Sequence, residues 1–202
     1  MHKYSTDELV AQKLSGEEFK KLPRNPIVFV LHNIRSLQNV GLFFRLADAI
    51  RAEKIYLTGY TGYPTLPAEA LAKAGIKSDP RREGAIIHAE NEINKTAIKL
   101  VPFVPWERFE DPLKTLNFLK SRNYQIISIE QTDQSVAFDK AEYKTPVAFI
   151  FGHEREGVTQ EILEKSDLVV HIPMLGMGNS HNVAMSGVVV RVANAEHGDM
   201  DY

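Results

Sequence analysis

Cysteine is absent from the 202-residue chain. Its absence excludes disulfides, thiol nucleophiles and cysteine-based zinc sites, and it favours a cytoplasmic protein. Long apolar runs are also missing: no stretch approaches the roughly 20 apolar residues that a membrane helix needs, and the N-terminus has no apolar signal-peptide core. The net charge is only -2, which argues against a strongly basic nucleic-acid coat but leaves room for a local basic patch.

What the chain does contain is an alternation of apolar strands and amphipathic helices, with 44% apolar residues. Continuous apolar runs are typical of parallel strands that are covered on both faces. We predict strands at 27–31, 54–58, 103–106, 124–129, 146–151 and 168–172, and helices within 7–21 and at 38–50, 92–100, 111–120, 159–165 and 182–196. Residues 59–83 are predicted to form a long loop, and a loop of that length in a compact domain is usually functional or mobile. The pattern indicates a mostly parallel sheet whose ligands bind at the carboxyl ends of its strands.

Three polar loops follow apolar strands and carry the candidate site residues. The first covers residues 32–41 and leads to Arg45; a plainer interpretation is a helix cap followed by a surface arginine. Arg45 is flanked by apolar residues, however, and a cation in such surroundings is costly unless it is paired or functional. The second loop covers residues 151–158, which match neither a Walker A loop nor a His-Glu-x-x-His zinc motif. Its alternative interpretation is a solvated charged turn.

The third loop, residues 173–182, contains two glycines whose spacing mimics a dinucleotide-binding fingerprint. His181 stands where the third glycine belongs, and the loop follows the last strand rather than the first, so an NAD-dependent oxidoreductase is a remote alternative. Four histidines lie at strand ends, namely His32, His153, His171 and His181. We expect these to be hydrogen-bonded histidines and expect no metal site.

Together the three loops resemble the signature motifs of the SpoU/TrmH-type RNA ribose 2′-O-methyltransferases of the SPOUT superfamily. Residues 39–41 with Arg45 are similar to the first motif, Asn-x-Gly followed by Arg, and residues 152–157 to the second, Gly-x-Glu-x-x-Gly. Residues 172–174 and 180–183 resemble the third, although His181 replaces the usual Leu and Ala184 a common Ser. The Lys-Thr-Ala at 95–97 and the Val-Pro-Trp at 104–106 resemble tRNA-modifying members.

The resemblance implies an α/β fold with helices on both faces of the sheet and a deep trefoil knot in the C-terminal part. We expect this domain to span residues 27–202, after a helical extension of residues 1–26. The resemblance also implies S-adenosylmethionine as cofactor and a homodimer that completes each site. Its cofactor-binding positions correspond to Gly152, Ile172, Met174, Gly176, His181 and Gln131. Its catalytic positions correspond to Arg45, Asn39, Glu154, Ser180 and Asn182.

Arginine remains protonated in proteins, so the general-base role that the family suggests for Arg45 conflicts with its acidity. We expect Arg45 instead to grip a phosphate or to stabilise the developing alkoxide, oriented by Asn39 and Glu154. Other contacts with RNA phosphates must come from basic side chains. The alternative for each of these side chains is an ordinary solvated surface charge. The candidates are Lys77, Arg81, Arg82, Lys20, Lys21 and Arg24.

The leading hypothesis is therefore an enzyme that methylates a ribose 2′-hydroxyl of RNA, with tRNA favoured over rRNA. The alternative is an RNA-binding module that keeps the knot but has lost catalysis. This alternative is considered because His181 replaces the usual Leu of the third motif. Binding of S-adenosylmethionine would distinguish the two, since only the enzyme needs it.

Overall fold

The computed structural model describes residues 1–178 and 180–188. Within these residues seven strands form one sheet, in the order β3-β2-β1-β6-β4-β7-β5, and every neighbouring pair is parallel. The strands are β1 (Asn25–His32), β2 (Ala52–Thr58), β3 (Trp106–Phe109), β4 (Gln125–Ile129), β5 (Val136–Ala137), β6 (Val147–Phe151) and β7 (Leu168–His171). All carboxyl ends consequently lie along the same edge of the sheet.

Helices connect most of these strands. They are α1 (Thr6–Ala11), α2 (Gly16–Lys21), α3 (Leu37–Ala49), α4 (Ala68–Ala74), α5 (Glu83–Ala97), α6 (Pro112–Ser121) and α7 (Gln160–Leu163). Residues 183–188 are also helical. Short 3-10 turns occupy Val101–Phe103 and Phe138–Lys140. Among the described residues, none of these helices combines the length and the apolar character that a membrane crossing requires.

The central strands β1 and β6 are buried on both faces, which explains their unbroken apolar sequences. Alternate side chains of β1 point to opposite faces. Phe29 packs in the core beneath α3 and α5, whereas Val28 and Val30 pack in the second core beneath α6 and α7. The structure thus confirms the predicted α/β class with helices on both faces of a parallel sheet.

Helix α3 lies directly against α5, and the two helices approach closely at Gly41. A β-carbon at Gly41 would lie 2.2 Å from the carbonyl oxygen of Ile93 and 2.2 Å from Oγ1 of Thr96. The Thr96 hydroxyl donates a hydrogen bond to the carbonyl oxygen of Gln38 at 2.7 Å. The glycine of the Asn-x-Gly motif and the threonine of Lys-Thr-Ala therefore have packing roles in this chain.

Two predictions were wrong in the region between β2 and β3: the uninterrupted loop and the start of the helix that follows it. Residues 59–83 do not form an uninterrupted loop, because α4 lies within them and ends at Gly75 in the left-handed conformation. Helix α5 begins at Glu83, nine positions before the predicted start at 92. Only Ala89, Ile93 and Ala97 of α5 are buried, so its apolar stripe is narrow and its sequence signal is weak.

The strand predicted at 103–106 was also misplaced. A 3-10 turn occupies Val101–Phe103, and β3 starts only at Trp106. Pro102 and Pro105 lack the amide hydrogen that a ladder position donates, which delays the strand. The two-residue strand β5 was not predicted, because a strand that short leaves no periodic pattern.

Several predictions concern residues at the ends of the chain. The last helix was predicted at 182–196; its described part is 183–188, and the remainder lies outside the described residues. The C-terminal knot and the domain boundary after residue 26 stay predictions. The N-terminal pair α1 and α2 precedes the sheet, and Phe19 of α2 packs edge-to-face on Phe103 with 6.2 Å between ring centroids.

Candidate functional site

The site begins where β1 turns into α3. Ser36 caps this helix, because its side chain accepts a hydrogen bond from the Asn39 amide at 3.3 Å. Asn39 therefore sits in the first turn of α3, where its side chain is 8% exposed. That position aims the amide group of Asn39 at the loop that follows the neighbouring strand β6.

Three segments that are far apart in the sequence are joined by the Asn39 side chain. Its Nδ2 donates to Oε1 of Glu154 at 2.9 Å, and its Oδ1 accepts from Nδ2 of Asn182 at 3.0 Å. Asn182 in turn accepts from the backbone amides of Ala184 and Met185, which begin the helical segment 183–188. This Glu154–Asn39–Asn182 chain brings together all three polar loops that the sequence analysis singled out.

Glu154 is held by three donors at once. Besides Asn39, the backbone amides of Arg35 and Ser36 donate to its carboxylate at 3.0 and 2.9 Å. Burial raises the pKa of Glu154, but these hydrogen bonds outweigh it, so the pKa lies below the ordinary glutamate value. An ionised Glu154 thus fixes the start of α3 against the 152–157 turn.

The 152–157 turn is closed by its two glycines and supported from β4. A β-carbon at Gly152 would lie 2.2 Å from the Gly157 carbonyl, so no larger residue fits there. Gly157 has φ +72, and the carboxylate of Glu130 lies directly beneath it. Oε2 of Glu130 accepts from the Val158 amide at 2.8 Å. Glu130, which lies just after β4, therefore positions the turn.

A cavity of about 310 Å³ opens between the loops that follow β4, β6 and β7. Its lining combines apolar side chains, backbone of the 152–157 turn and polar groups. The lining also includes Phe151, His153, Glu156, Gly157 and Val183, which belong to the predicted loops and motifs but were given no individual role, and Ile129, Glu130, His171 and Ser186, which lie outside the three polar loops. The signal that could have found most of them is their position at or just after the end of a buried strand.

Most of the predicted cofactor-binding residues lie around this cavity. The lining contains Gly152, Ile172, Met174, His181 and Gln131, together with the predicted Ser180. Gly176 is not part of the lining within the described residues, and a β-carbon there would meet nothing within 4 Å. Four of the predicted catalytic residues accompany the cavity: Glu154 and Ser180 line it, and Asn39 and Asn182 are bonded behind it.

Arg45 lies elsewhere, and the expectation that it is embedded among apolar side chains was wrong. Helix α3 turns its apolar residues toward the sheet and leaves Arg45 exposed on the opposite face. Arg45 lines an apolar groove with Leu42 and Leu46 of α3 and with Met185 of the helical segment 183–188. Asn39 and Glu154 form hydrogen bonds with each other and with the polar loops. Within the described residues neither of them forms a hydrogen bond with Arg45, so they do not orient Arg45 by direct contact in one chain.

Two of the six predicted RNA-binding cations donate to backbone carbonyls, and Lys20 forms an exposed ion pair with Glu17 at 3.9 Å. The Arg81 guanidinium donates to the carbonyls of Tyr63 and Pro64 and pairs with Asp79 at 2.6 Å. Arg24 donates to the carbonyls of Ala52 and Phe103, at the end of the sheet opposite the cavity. The other four are exposed, namely Lys20, Lys21, Lys77 and Arg82.

Comparison with known proteins adds a family to this geometry. The SpoU rRNA Methylase family model matches residues 80–192. The tRNA (guanosine(18)-2'-O)-methyltransferase of Aquifex aeolicus is 33% identical over 181 residues, covering 89% of this chain and 74% of that protein. The protein of the same name from Thermus thermophilus is 34% identical over 180 residues, covering 89% and 79%.

Solved structures support the same fold. The A. aeolicus TrmH/SpoU tRNA modifying enzyme superposes with a TM-score of 0.62 at 23% identity, covering 88% of this chain and 78% of that one. The AdoMet-bound rRNA methyltransferase from Sinorhizobium meliloti superposes with a TM-score of 0.64 at 20% identity, covering 90% and 61%.

Proposed function

The chain belongs to the SpoU RNA methylase family, and we propose that it methylates a ribose 2′-hydroxyl of tRNA with S-adenosylmethionine as methyl donor. The observation that carries the proposal is the Glu154–Asn39–Asn182 chain, which holds the three motif loops together beside one cavity. The family relationship favours this enzyme over the inactive RNA-binding module, because the curated relatives are named as tRNA 2′-O-methyltransferases.

The cavity residues fit S-adenosylmethionine by their chemistry. Apolar side chains such as Ile129, Ile172 and Met174 suit an adenine ring, while the backbone of the 152–157 turn and Gln131 offer polar groups for a ribose and an amino acid. Gly176 does not line the cavity in its present form, so its predicted contact would require movement of the 173–178 segment. His181 lines the cavity and is therefore compatible with a cofactor-binding role.

S-adenosylmethionine supplies an electrophilic methyl group on its sulfonium when bound. The chain's own residues align the ribose and exclude water, since methyl transfer depends on in-line approach and a dry site. Glu154 and Asn39 hold the loops rigid, and Asn182 fixes the start of the helical segment 183–188. The guanidinium of Arg45 contacts the phosphate beside the target or stabilises the developing alkoxide.

In the proposed homodimer, Arg45 of one copy completes the site at the cavity of the other copy. It lies at the edge of the apolar groove on α3, and the neighbouring side chains of Met185 and Val188 are 61% and 49% exposed. A second copy that covers this groove would bury those side chains and carry Arg45 toward its own cavity. The proposed domain of residues 27–202 supplies this interface, and tRNA as substrate supports a cytoplasmic location.

The activity is tested by incubating the protein with unmodified tRNA transcripts and methyl-labelled S-adenosylmethionine. We expect one labelled nucleoside whose extra methyl is on the ribose by mass spectrometry, and a block to alkaline cleavage at the following phosphodiester. Ribosomal RNA transcripts serve as the competing substrate. Label on a base, or none in any RNA, would refute the proposed function.

The shared site is tested with hybrid dimers. Arg45→Ala and Gly152→Ala are each expected to inactivate the homodimer, the first through the cation and the second through the turn. Co-expressed and purified as a hybrid, they should regain about half of wild-type activity, because one of the two composite sites is intact. A hybrid as inactive as both parents would show that Arg45 acts within its own chain.

A further inference from the structure

An exposed tyrosine stands on the rim of the cavity. Tyr60 follows β2, and its side chain is 58% exposed. The proposed function assigns it no role, and it does not belong to any of the three motif loops. A large aromatic ring presented to solvent beside a polar cavity is a feature that single-stranded nucleic-acid sites use.

The backbone holds Tyr60 in a defined position. Gly59 before it has φ +62, and the Tyr60 amide donates to Oδ1 of Asn33 at 3.1 Å. Thr61 after it is 1% exposed, and its hydroxyl bridges the Leu31 carbonyl and the Ile34 amide at 2.9 and 3.0 Å. The ring is therefore projected from a rigid turn, which lowers the entropy that binding would cost.

The ring is tied to the cavity and still has an open face. Tyr60 and His153 make a T-shaped contact, with 6.1 Å between ring centroids and 72° between the planes. His153 itself lines the cavity. A T-shaped pair covers at most one face of either ring, so at least one face of Tyr60 is left uncovered by His153.

An exposed cation, Arg35, lies two positions after Asn33, whose side chain accepts from the Tyr60 amide. Partial desolvation and the carboxylates of Glu156 and Glu154 raise the pKa of the Tyr60 phenol, and the nearby Arg35 guanidinium opposes them. Arg35 is exposed, and its backbone amide is anchored on Glu154. Within the described residues its guanidinium makes no hydrogen bond or ion pair, in contrast to Arg81 and Arg24. Arg35 is thus available for a phosphate.

We infer that Tyr60 is the residue on which an unpaired RNA base next to the target nucleotide stacks, with Arg35 contacting the adjoining phosphate. The inference rests on the proposed function, because a ribose that reaches the methyl group of a cofactor bound in the cavity must belong to a nucleotide drawn out of a helix or to a single-stranded loop. The neighbouring base then lies over the rim, where Tyr60 replaces its lost stacking partner.

Steady-state methylation and equilibrium binding of tRNA transcripts test this inference. For Tyr60→Ala we expect the KM for tRNA to rise about ten-fold, the equivalent of ~1.4 kcal/mol, with an unchanged calorimetric affinity for S-adenosylmethionine. Tyr60→Phe should stay within about two-fold of wild type, because a ring without the hydroxyl still stacks. Tyr4→Ala is the matched control, since Tyr4 is 56% exposed but precedes α1.

Arg35→Gln is tested by the salt dependence of tRNA binding, measured by fluorescence anisotropy with S-adenosylhomocysteine present. The slope of log K against log salt should fall by about one unit. Arg122→Gln, an exposed arginine at the opposite end of the sheet, should leave the slope unchanged.

The outcomes separate this inference from the proposed function. Equal effects of Tyr60→Ala and Tyr4→Ala, a Tyr60→Phe variant as weak as Tyr60→Ala, or loss of cofactor binding in Tyr60→Ala would each overturn the stacking role. Wild-type protein that binds tRNA without methylating it would refute the methyl transfer alone, because the binding arm still measures Tyr60. Wild-type protein that binds no RNA would refute both.

Discussion

Asn39→Asp should open the Glu154–Asn39–Asn182 chain at a single contact. The substitution keeps the shape of the side chain and an oxygen that accepts from Asn182. It replaces the Nδ2 donor, 2.9 Å from Oε1 of Glu154, by a second carboxylate oxygen. Two carboxylates at that separation cannot both be ionised without strong repulsion.

The size of the destabilisation follows from two effects, the lost hydrogen bond and the new repulsion between like charges. A hydrogen bond to a charged acceptor contributes about 1.5–3 kcal/mol, and like charges about 4 Å apart repel by up to about 4 kcal/mol at an effective dielectric constant of 20. Protonation of the pair relieves the repulsion and raises its apparent pKa. We therefore expect a destabilisation of about 3–4 kcal/mol at pH 8.

The sign of the pH dependence is fixed by the raised pKa. Stability is regained when the pair takes up a proton, so it is present at low pH and lost as pH rises through the folded-state pKa. The deficit of Asn39→Asp relative to wild type should shrink by about 1.4 kcal/mol for each pH unit below that pKa. Urea unfolding between about pH 5 and pH 8, the range in which most proteins are most stable, provides the measurement, and calorimetry with S-adenosylmethionine provides a second.

Asn94→Asp is the matched control. Asn94 also donates to a glutamate, Oε1 of Glu90 at 2.9 Å, but on α5 away from the cavity. A like-charge pair on a helix surface costs only about 0.2–0.5 kcal/mol. Equal losses of stability in the two variants, or a loss in Asn39→Asp that does not depend on pH, would contradict the role of the Glu154–Asn39–Asn182 chain.

Three further predictions concern packing, acid stability and catalysis. Gly41→Ala should destabilise the protein by about 1–3 kcal/mol in urea unfolding, because the new β-carbon would lie 2.2 Å from the Ile93 carbonyl oxygen. Gly84→Ala is the control: its β-carbon would meet nothing within 4 Å, so this variant should be neutral or more stable by up to about 1 kcal/mol. Glu154 has a lowered pKa, so its contribution to stability is present above about pH 4.3 and lost as pH falls through the folded-state value; Glu154→Gln should show a shallower acid loss in the same assay. Arg45→Lys should lower the single-turnover methylation rate about 10²-fold or more, because a point charge does not replace a forked donor, and a near-normal rate would exclude both roles proposed for Arg45.

Much of the fold was predictable because its signals are local. Runs such as 27–31 and 146–151 are apolar on both faces, which is typical of central parallel strands, and the structure confirms them as β1 and β6. The helix of residues 112–121 was predictable from Asp111 and Pro112, and the Asp111 side chain does cap α6. Helix α4 had a readable signal as well, since residues 68–74 are mostly good helix formers and precede Gly75.

The errors arose where a side chain's surroundings depend on distant parts of the chain. Arg45 looks buried in a linear stretch of apolar residues, although helical spacing alone would have placed it on the exposed face of α3; what the distant chain adds is the apolar groove that Arg45 lines with Met185. Arg81 looks like a free surface cation, yet its partners include the carbonyls of Tyr63 and Pro64, which only the folded 59–83 region brings to it.

The amino-acid sequence by itself determined most of the strands, most of the helices and the placing of three polar loops at strand ends, because periodicity and capping are properties of neighbouring residues. Only the tertiary structure decided that Asn39 would bind a carboxylate 115 positions away and an amide 143 positions away. Hydrogen-bond partners are selected by distance and direction in space, and neither is encoded in the spacing along a chain.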